Sequence, residues 1–124
     1  MTKRFGVVLV SHVEELAYGA YKLVKESATE TPLTYAGGTD DGAIGSSFDK
    51  IMQAVEENEA DYLYAFYDLG SAKMTLEMVS EMSEKSVEIV DCAFIEGAYT
   101  ASVLINGGND KQAIDDQLAP LKIK

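Results

Sequence analysis

The 124-residue sequence has little of several things, and each scarcity removes a class of function. There is one cysteine, Cys92, so neither an internal disulfide nor a cysteine cage around a metal can form. It lies in the apolar stretch VDCAFI, where it reads as a small buried hydrophobe and not as a nucleophile. Basic residues number ten against 21 acidic ones, for a formal charge of −11. That balance argues against a nucleic-acid groove, where clustered Lys and Arg meet phosphates. It suits a freely diffusing protein that docks on basic or mixed patches. No apolar run approaches the roughly 20 residues of a membrane span. The basic start MTKR leads through a strand-length apolar run into HVEE with no small-residue cleavage site. No signal peptide is therefore expected, and the chain reads as cytoplasmic.

What is present is 47% hydrophobic residues, enough for one domain over residues 1–124 to bury a core without staples. Strand and helix signals alternate. FGVVLV (Phe5 to Val10) is a continuous apolar run, as in a strand buried on both faces. Val13, Leu16, Ala17, Ala20, Leu23 and Val24 then share a helical stripe. TPLTYAG (Thr31 to Gly37) is a second strand, and Ile44, Phe48, Ile51, Met52 and Val55 mark a second helix. DYLYAFYDL (Asp61 to Leu69) is a third strand, followed by helical spacing at Ala72, Leu76, Val79 and Met82. VEIVDCAF is a fourth strand, Glu96 to Ile105 a fourth helix, and NDKQ (Asn109 to Gln112) opens a last short one. Tyr62, Tyr64 and Tyr67 are read as sheet packing with hydroxyls reaching an edge. Met74, Met78 and Met82 are expected to widen a packed helix face that also suits a subunit interface.

Fourfold alternation implies an α/β fold of three layers, flavodoxin-like, with a mainly parallel four-stranded sheet, helices on both faces and strand order 2-1-3-4. Ligands in such sheets sit beyond the carboxyl ends of the strands, where the order reverses. Here that places a site between the loops after strands 1 and 3. The first holds the only histidine of the chain, His12, in SHVE. Ser11 and Glu14 have the spacing of a capping box, which would put His12 in the first helical turn, at the positive end of the dipole. AGGTDDGAIG (Ala36 to Gly45) has four glycines in ten residues and suits an anion nest, but lacks the Gly-Lys-Ser/Thr ending of a P-loop. YDLGSAKM (Tyr67 to Met74) offers Asp68 to orient an imidazole and Ser71 as a helix N-cap. Lys73 is the only cation close to these motifs, and a lysine there is ordinarily solvated. Each loop also has a plain structural reading as turns and helix caps.

GVVLVSHV, AGGTDDGAIGSSF and YDLGSAKM, in this order, resemble the phosphotransfer subunit of the phosphoenolpyruvate-dependent dihydroxyacetone kinase, itself similar to the IIA domain of mannose-class sugar phosphotransferase systems. GGTDDGAIGSS favours the dihydroxyacetone branch. The resemblance implies a phosphorelay: the histidine phosphocarrier protein charges His12, which passes the phosphoryl group to ADP in a nucleotide-binding subunit. It implies His12 as phosphoacceptor and Asp68 as its orienting carboxylate, with Ser11, Gly38, Thr39, Gly70 and Ser71 around the phosphoryl group. It implies a homodimer, no cofactor, no metal, and a phosphoryl group received from separate proteins. The residues leave two other readings open. One is the IIA component of mannose-class sugar uptake; the other is a non-catalytic flavodoxin-like module with a ligand on GGTDDG and His12 merely capping. A hydrolase would want a nucleophile elbow, which is absent. A receiver phosphorylated on aspartate would want an acidic cluster near the end of strand 1, also absent.

Overall fold

A computed structural model describes residues 4–124; part of the basic flank of the opening MTKR lies outside the described residues. Its strands are β1 (Phe5–Ser11), β2 (Leu33–Gly37), β3 (Tyr62–Tyr67) and β4 (Ser86–Val90). Its helices are α1 (Glu14–Ser27), α2 (Phe48–Glu57), α3 (Gly70–Met82), α4 (Phe94–Asn106) and α5 (Lys111–Leu118). The strands form one sheet in the order β2-β1-β3-β4, every pair parallel, as the alternation predicts. Among the described residues no helix is long and apolar enough to cross a membrane.

β1 is central and continuous in its apolar character because both of its faces are covered. Val7 and Leu9 pack with Ala20 and Val24 of α1, Ala98 and Ala101 of α4, and Ile114 and Leu118 of α5. Val8 and Val10 face the other way, against Ile51, Ala54 and Val55 of α2 and Ala72, Leu76 and Val79 of α3. The period of two along the strand thus builds two cores from one run of valines and leucines. Tyr62 and Tyr64 lie on the first face, with hydroxyls donating to Glu88 and, at 3.0 Å, to Asp115; Tyr67 lies on the second and donates to Asp91 at 2.6 Å. Cys92 is buried, and burial pushes its thiol pKa up.

Several expectations need correction. Met74, Met78 and Met82 do not pack in the core; they are 69%, 55% and 71% exposed. Met74 and Met78 each stand two residues beyond a buried position, about 200° around the helix. Leu16 and Leu23 are also exposed, because α1 contacts the sheet through Ala17, Ala20 and Val24. Ile44 is 79% exposed in the loop before α2, which begins after its N-cap Ser47, accepting from the Lys50 N–H. The last helix is capped by Asp110 and not Asn109.

The close approach of α1 to β2 depends on Gly37. A Cβ there would lie 2.7 Å from Glu14 Cα and the Val13 carbonyl, and 2.9 Å from Ala17 Cβ. These are mostly backbone neighbours, which have little room to yield. Gly37→Ala is expected to lower stability by about 1–3 kcal/mol, the usual range for overpacking, as read from urea unfolding midpoints.

Candidate active site

β1 leads to β2 on one side, and β3 lies on its other side, so the ends of β1 and β3 open beside each other. Asp68, the residue after β3, fills that gap with a carboxylate that takes four donors. Oδ2 accepts from the Ser11 hydroxyl at 2.8 Å and the His12 N–H at 3.0 Å. Oδ1 lies 2.8 Å from His12 Nδ1 and accepts the Leu69 N–H at 2.7 Å. Burial pushes the Asp68 pKa up, but the bonds from His12, Ser11 and Leu69 outweigh it and hold the carboxyl below its ordinary value.

An ionised carboxylate only accepts, so the proton shared with His12 belongs to Nδ1. In the neutral ring Nε2 then carries the lone pair, and it faces the Ser71 hydroxyl in a short contact. The imidazole side chain is 13% exposed and that of Asp68 12%. The ring is therefore held by one nitrogen and presented by the other.

The capping box does not form. Ser11 accepts the Val13 N–H at 3.1 Å while donating to Asp68, and α1 starts only at Glu14, with Val13 as an N-cap lacking a side-chain bond. Glu14 pairs with Lys50 at 3.0 Å instead of reaching back. His12 thus lies ahead of the helix and not in its first turn, because Asp68 holds the Ser11 hydroxyl and the His12 N–H at the end of β1. The helix that meets the ring is α3. Its N-cap is Leu69, not Ser71; Gly70 and Ser71 are its first two residues, and the first turn carries no acidic side chain.

The glycine-rich loop braces the histidine from the β2 side. Gly38, at φ 73°, donates its N–H to the Ser11 carbonyl at 3.2 Å, and Gly45 donates to the His12 carbonyl at 2.9 Å. Thr39 is turned into its own loop: it bonds Asp41 through its hydroxyl and Ala43 through its backbone. His12, Asp68, Ser11 and Ser71 are thus in direct contact, Gly38 touches them through backbone, Gly70 begins α3, and Thr39 has no bond to the ring. Sequence reasoning missed Gly45, whose place in the glycine-rich loop was its signal. Lys73 is not simply solvated; its amine lies 3.0 Å from Asp91. Nor is it the only nearby cation, since Lys124 donates to the Asp68 carbonyl at 3.0 Å.

The depressed Asp68 pKa ties the site to stability. A group whose folded pKa is lowered stabilises the fold above its unfolded value and loses that contribution as pH falls through the folded value. Wild type should therefore lose more stability than Asp68→Asn on acidification from neutrality to below the ordinary value of 3.8. Urea unfolding of both proteins across that range checks it.

Residues 6–115 match the EIIA-man family, described as the PTS system fructose IIA component, and the chain belongs to that family. Within it, the chain is 50% identical over 120 residues to the "PTS-dependent dihydroxyacetone kinase, phosphotransferase subunit DhaM" of Lactococcus lactis subsp. lactis (strain IL1403), covering 97% of this chain and 98% of that one. It is 44% identical over the full length of both chains to the "PEP-dependent dihydroxyacetone kinase 1, phosphoryl donor subunit DhaM" of Listeria innocua serovar 6a (strain ATCC BAA-680 / CLIP 11262). Among solved structures, the "unknown function protein EF1359" superposes with a TM-score of 0.84 at 26% identity, over 99% of this chain and 98% of that one. A sigma-54 interaction domain protein from Enterococcus faecalis shares the fold, with a TM-score of 0.70 at 14% identity over 95% of this chain and 90% of that one.

Proposed function

We propose that this chain is the phosphoryl donor subunit of a phosphoenolpyruvate-dependent dihydroxyacetone kinase, working as one IIA domain whose phosphorylated residue is His12. The observation that carries the reading is the imidazole tied at Nδ1 to Asp68, with Nε2 turned to the Ser71 hydroxyl at the start of α3. The full-length similarity to the two dihydroxyacetone kinase subunits supports the choice of pathway.

In this mechanism the histidine phosphocarrier protein brings its phosphoryl group in line with Nε2. The lone pair forms the new N–P bond as the donor's N–P bond breaks. The ring keeps its Nδ1 proton and becomes cationic, and Asp68 offsets that charge. The Ser71 hydroxyl leaves Nε2 as the phosphoryl group arrives and, with the first N–H groups of α3 at Gly70 and Ser71, holds phosphoryl oxygens, since helix N-termini favour anions. Discharge reverses these steps: a terminal oxygen of ADP in the nucleotide-binding subunit takes the phosphorus, and neutral imidazole leaves. Transfer through a loose transition state is mainly positioning and charge stabilisation, so few residues suffice. The reading includes a cytoplasmic homodimer, with the exposed methionines of α3 as an apolar face available to a second copy.

The test is intact-mass analysis after incubation with phosphoenolpyruvate, enzyme I and the phosphocarrier protein, followed by the nucleotide-binding subunit with ADP. An acid-labile phosphoryl adduct that this subunit discharges is expected. The family's description as a sugar-system component favours a second reading, IIA of sugar uptake. An adduct discharged only by a sugar-transporting IIB protein would select it, and no adduct would overturn both.

A further inference from the structure

The segment after α5 returns to the site along the edge of the sheet. A short 3₁₀ turn, Ala119–Leu121, redirects the chain, and Lys122 forms an antiparallel bridge with Cys92. The Ala93 N–H donates to Leu121 at 3.0 Å, and the N–H groups of Ile123 and Lys124 donate to the Asp91 carbonyl at 3.1 and 3.2 Å. These bonds deliver the Lys124 side chain to the end of β3. There its amine donates to the Tyr67 carbonyl and, at 3.0 Å, to the Asp68 carbonyl. It also stands 4.3 Å from the centre of the Tyr67 ring, within cation–π range. That ring is itself held, since its hydroxyl donates to Asp91, which also takes Lys73.

Both carbonyls lie just past Phe66–Val90, the last paired residues of β3 and β4. The sheet stops fixing the backbone on that side two residues before the carboxylate that orients His12. We propose that Lys124 is a positioning residue for phosphoryl exchange: by tying down the Tyr67 and Asp68 carbonyls it fixes the backbone from which Asp68 holds the His12 ring. A long flexible side chain is suited to this because it reaches two acceptors from outside the ladder, and its charge strengthens both bonds. Burial lowers the Lys124 pKa against the pull of Asp68 and Asp91, in keeping with a lysine engaged on the protein surface instead of extended into water. The inference rests on the phosphoryl-carrier reading for its kinetic consequence, though not for its geometric one.

The experiment compares Lys124→Met, Lys124→Arg and Lys122→Met with wild type. Lys122 lies in the same segment without a bond to the Tyr67 or Asp68 carbonyl, and serves as the control for tail packing. The first readout is the proton resonance of His12 Nδ1–H in the unphosphorylated protein, with its exchange against water. The second is phosphoryl acceptance at saturating donor protein, with thermal unfolding alongside. Lys124→Met should shift the Nδ1–H resonance and speed its exchange, and slow maximal acceptance about tenfold at unchanged KM; a misplacement of about 1 Å can cost 10²-fold. Lys124→Arg should restore both readouts, and Lys122→Met should leave both alone. A wild-type resonance and rate in Lys124→Met would overturn the proposal. So would equal losses in Lys122→Met and Lys124→Arg that track a lowered Tm, since these would mean packing of the segment only. If wild type takes no phosphoryl group, the functional reading fails, and the Nδ1–H resonance alone decides the positioning.

Discussion

His12→Gln is expected to take up no phosphoryl group from the phosphocarrier protein while folding as wild type does. Glutamine keeps a polar side chain of similar reach that can still donate to Asp68, so the loop between β1 and α1 retains a partner. The backbone bonds that build that loop, from His12 N–H to Asp68 and from Gly45 N–H to the His12 carbonyl, do not involve the side chain. What glutamine lacks is a nucleophilic nitrogen, since the amide lone pair is delocalised. No other histidine exists in the chain to take over. The loss should therefore be complete, with unchanged circular dichroism and Tm. An adduct that survives the substitution would place the chemistry elsewhere.

Asp68→Asn is the second large effect. Asparagine fills the same space but brings an amide NH2 among four donors that the carboxylate accepts. At least one of those bonds must be given up, and the preference for a proton on Nδ1 goes with the charge. Where a carboxylate fixes the tautomer of a catalytic imidazole that must also move a proton, its loss costs up to about 10⁴-fold. No proton is transferred in the phosphoryl step itself, which argues for a smaller cost. We expect acceptance to slow by on the order of 10²- to 10³-fold, through lost orientation and lost stabilisation of the cationic phosphorylated ring. The Asp68 side chain is only 12% exposed and offers a donor protein little to touch, so the fall should appear in the maximal rate and not in KM. Single-turnover acceptance measured at several donor concentrations separates the two.

The architecture was legible because its signals are local. The apolar runs of β1 and β3 announce strands covered on both faces, and the intervening stripes announce helices, so strand order followed from connection rules. The convergence of the first and third loops on one site followed from the same topology. What escaped was decided by contacts distant in sequence. Ser11-x-x-Glu14 has a capping-box pattern, yet Asp68, 57 residues on from Ser11, takes the Ser11 hydroxyl and keeps His12 out of the helix. Met74, Met78 and Met82 have helical spacing, but spacing alone does not say which of two apolar stripes faces the sheet. Lys124 carries no motif at all; only the path of the chain after α5 brings it to Asp68.

In the proposed mechanism Nδ1 anchors the ring and Nε2 carries the phosphoryl group. The most direct test is phosphorus and nitrogen NMR of the freshly phosphorylated, ¹⁵N-labelled protein. One phosphohistidine species is expected, with phosphorus coupled to Nε2 and a proton retained on Nδ1. Phosphorus on Nδ1, or on any residue other than His12, would contradict it.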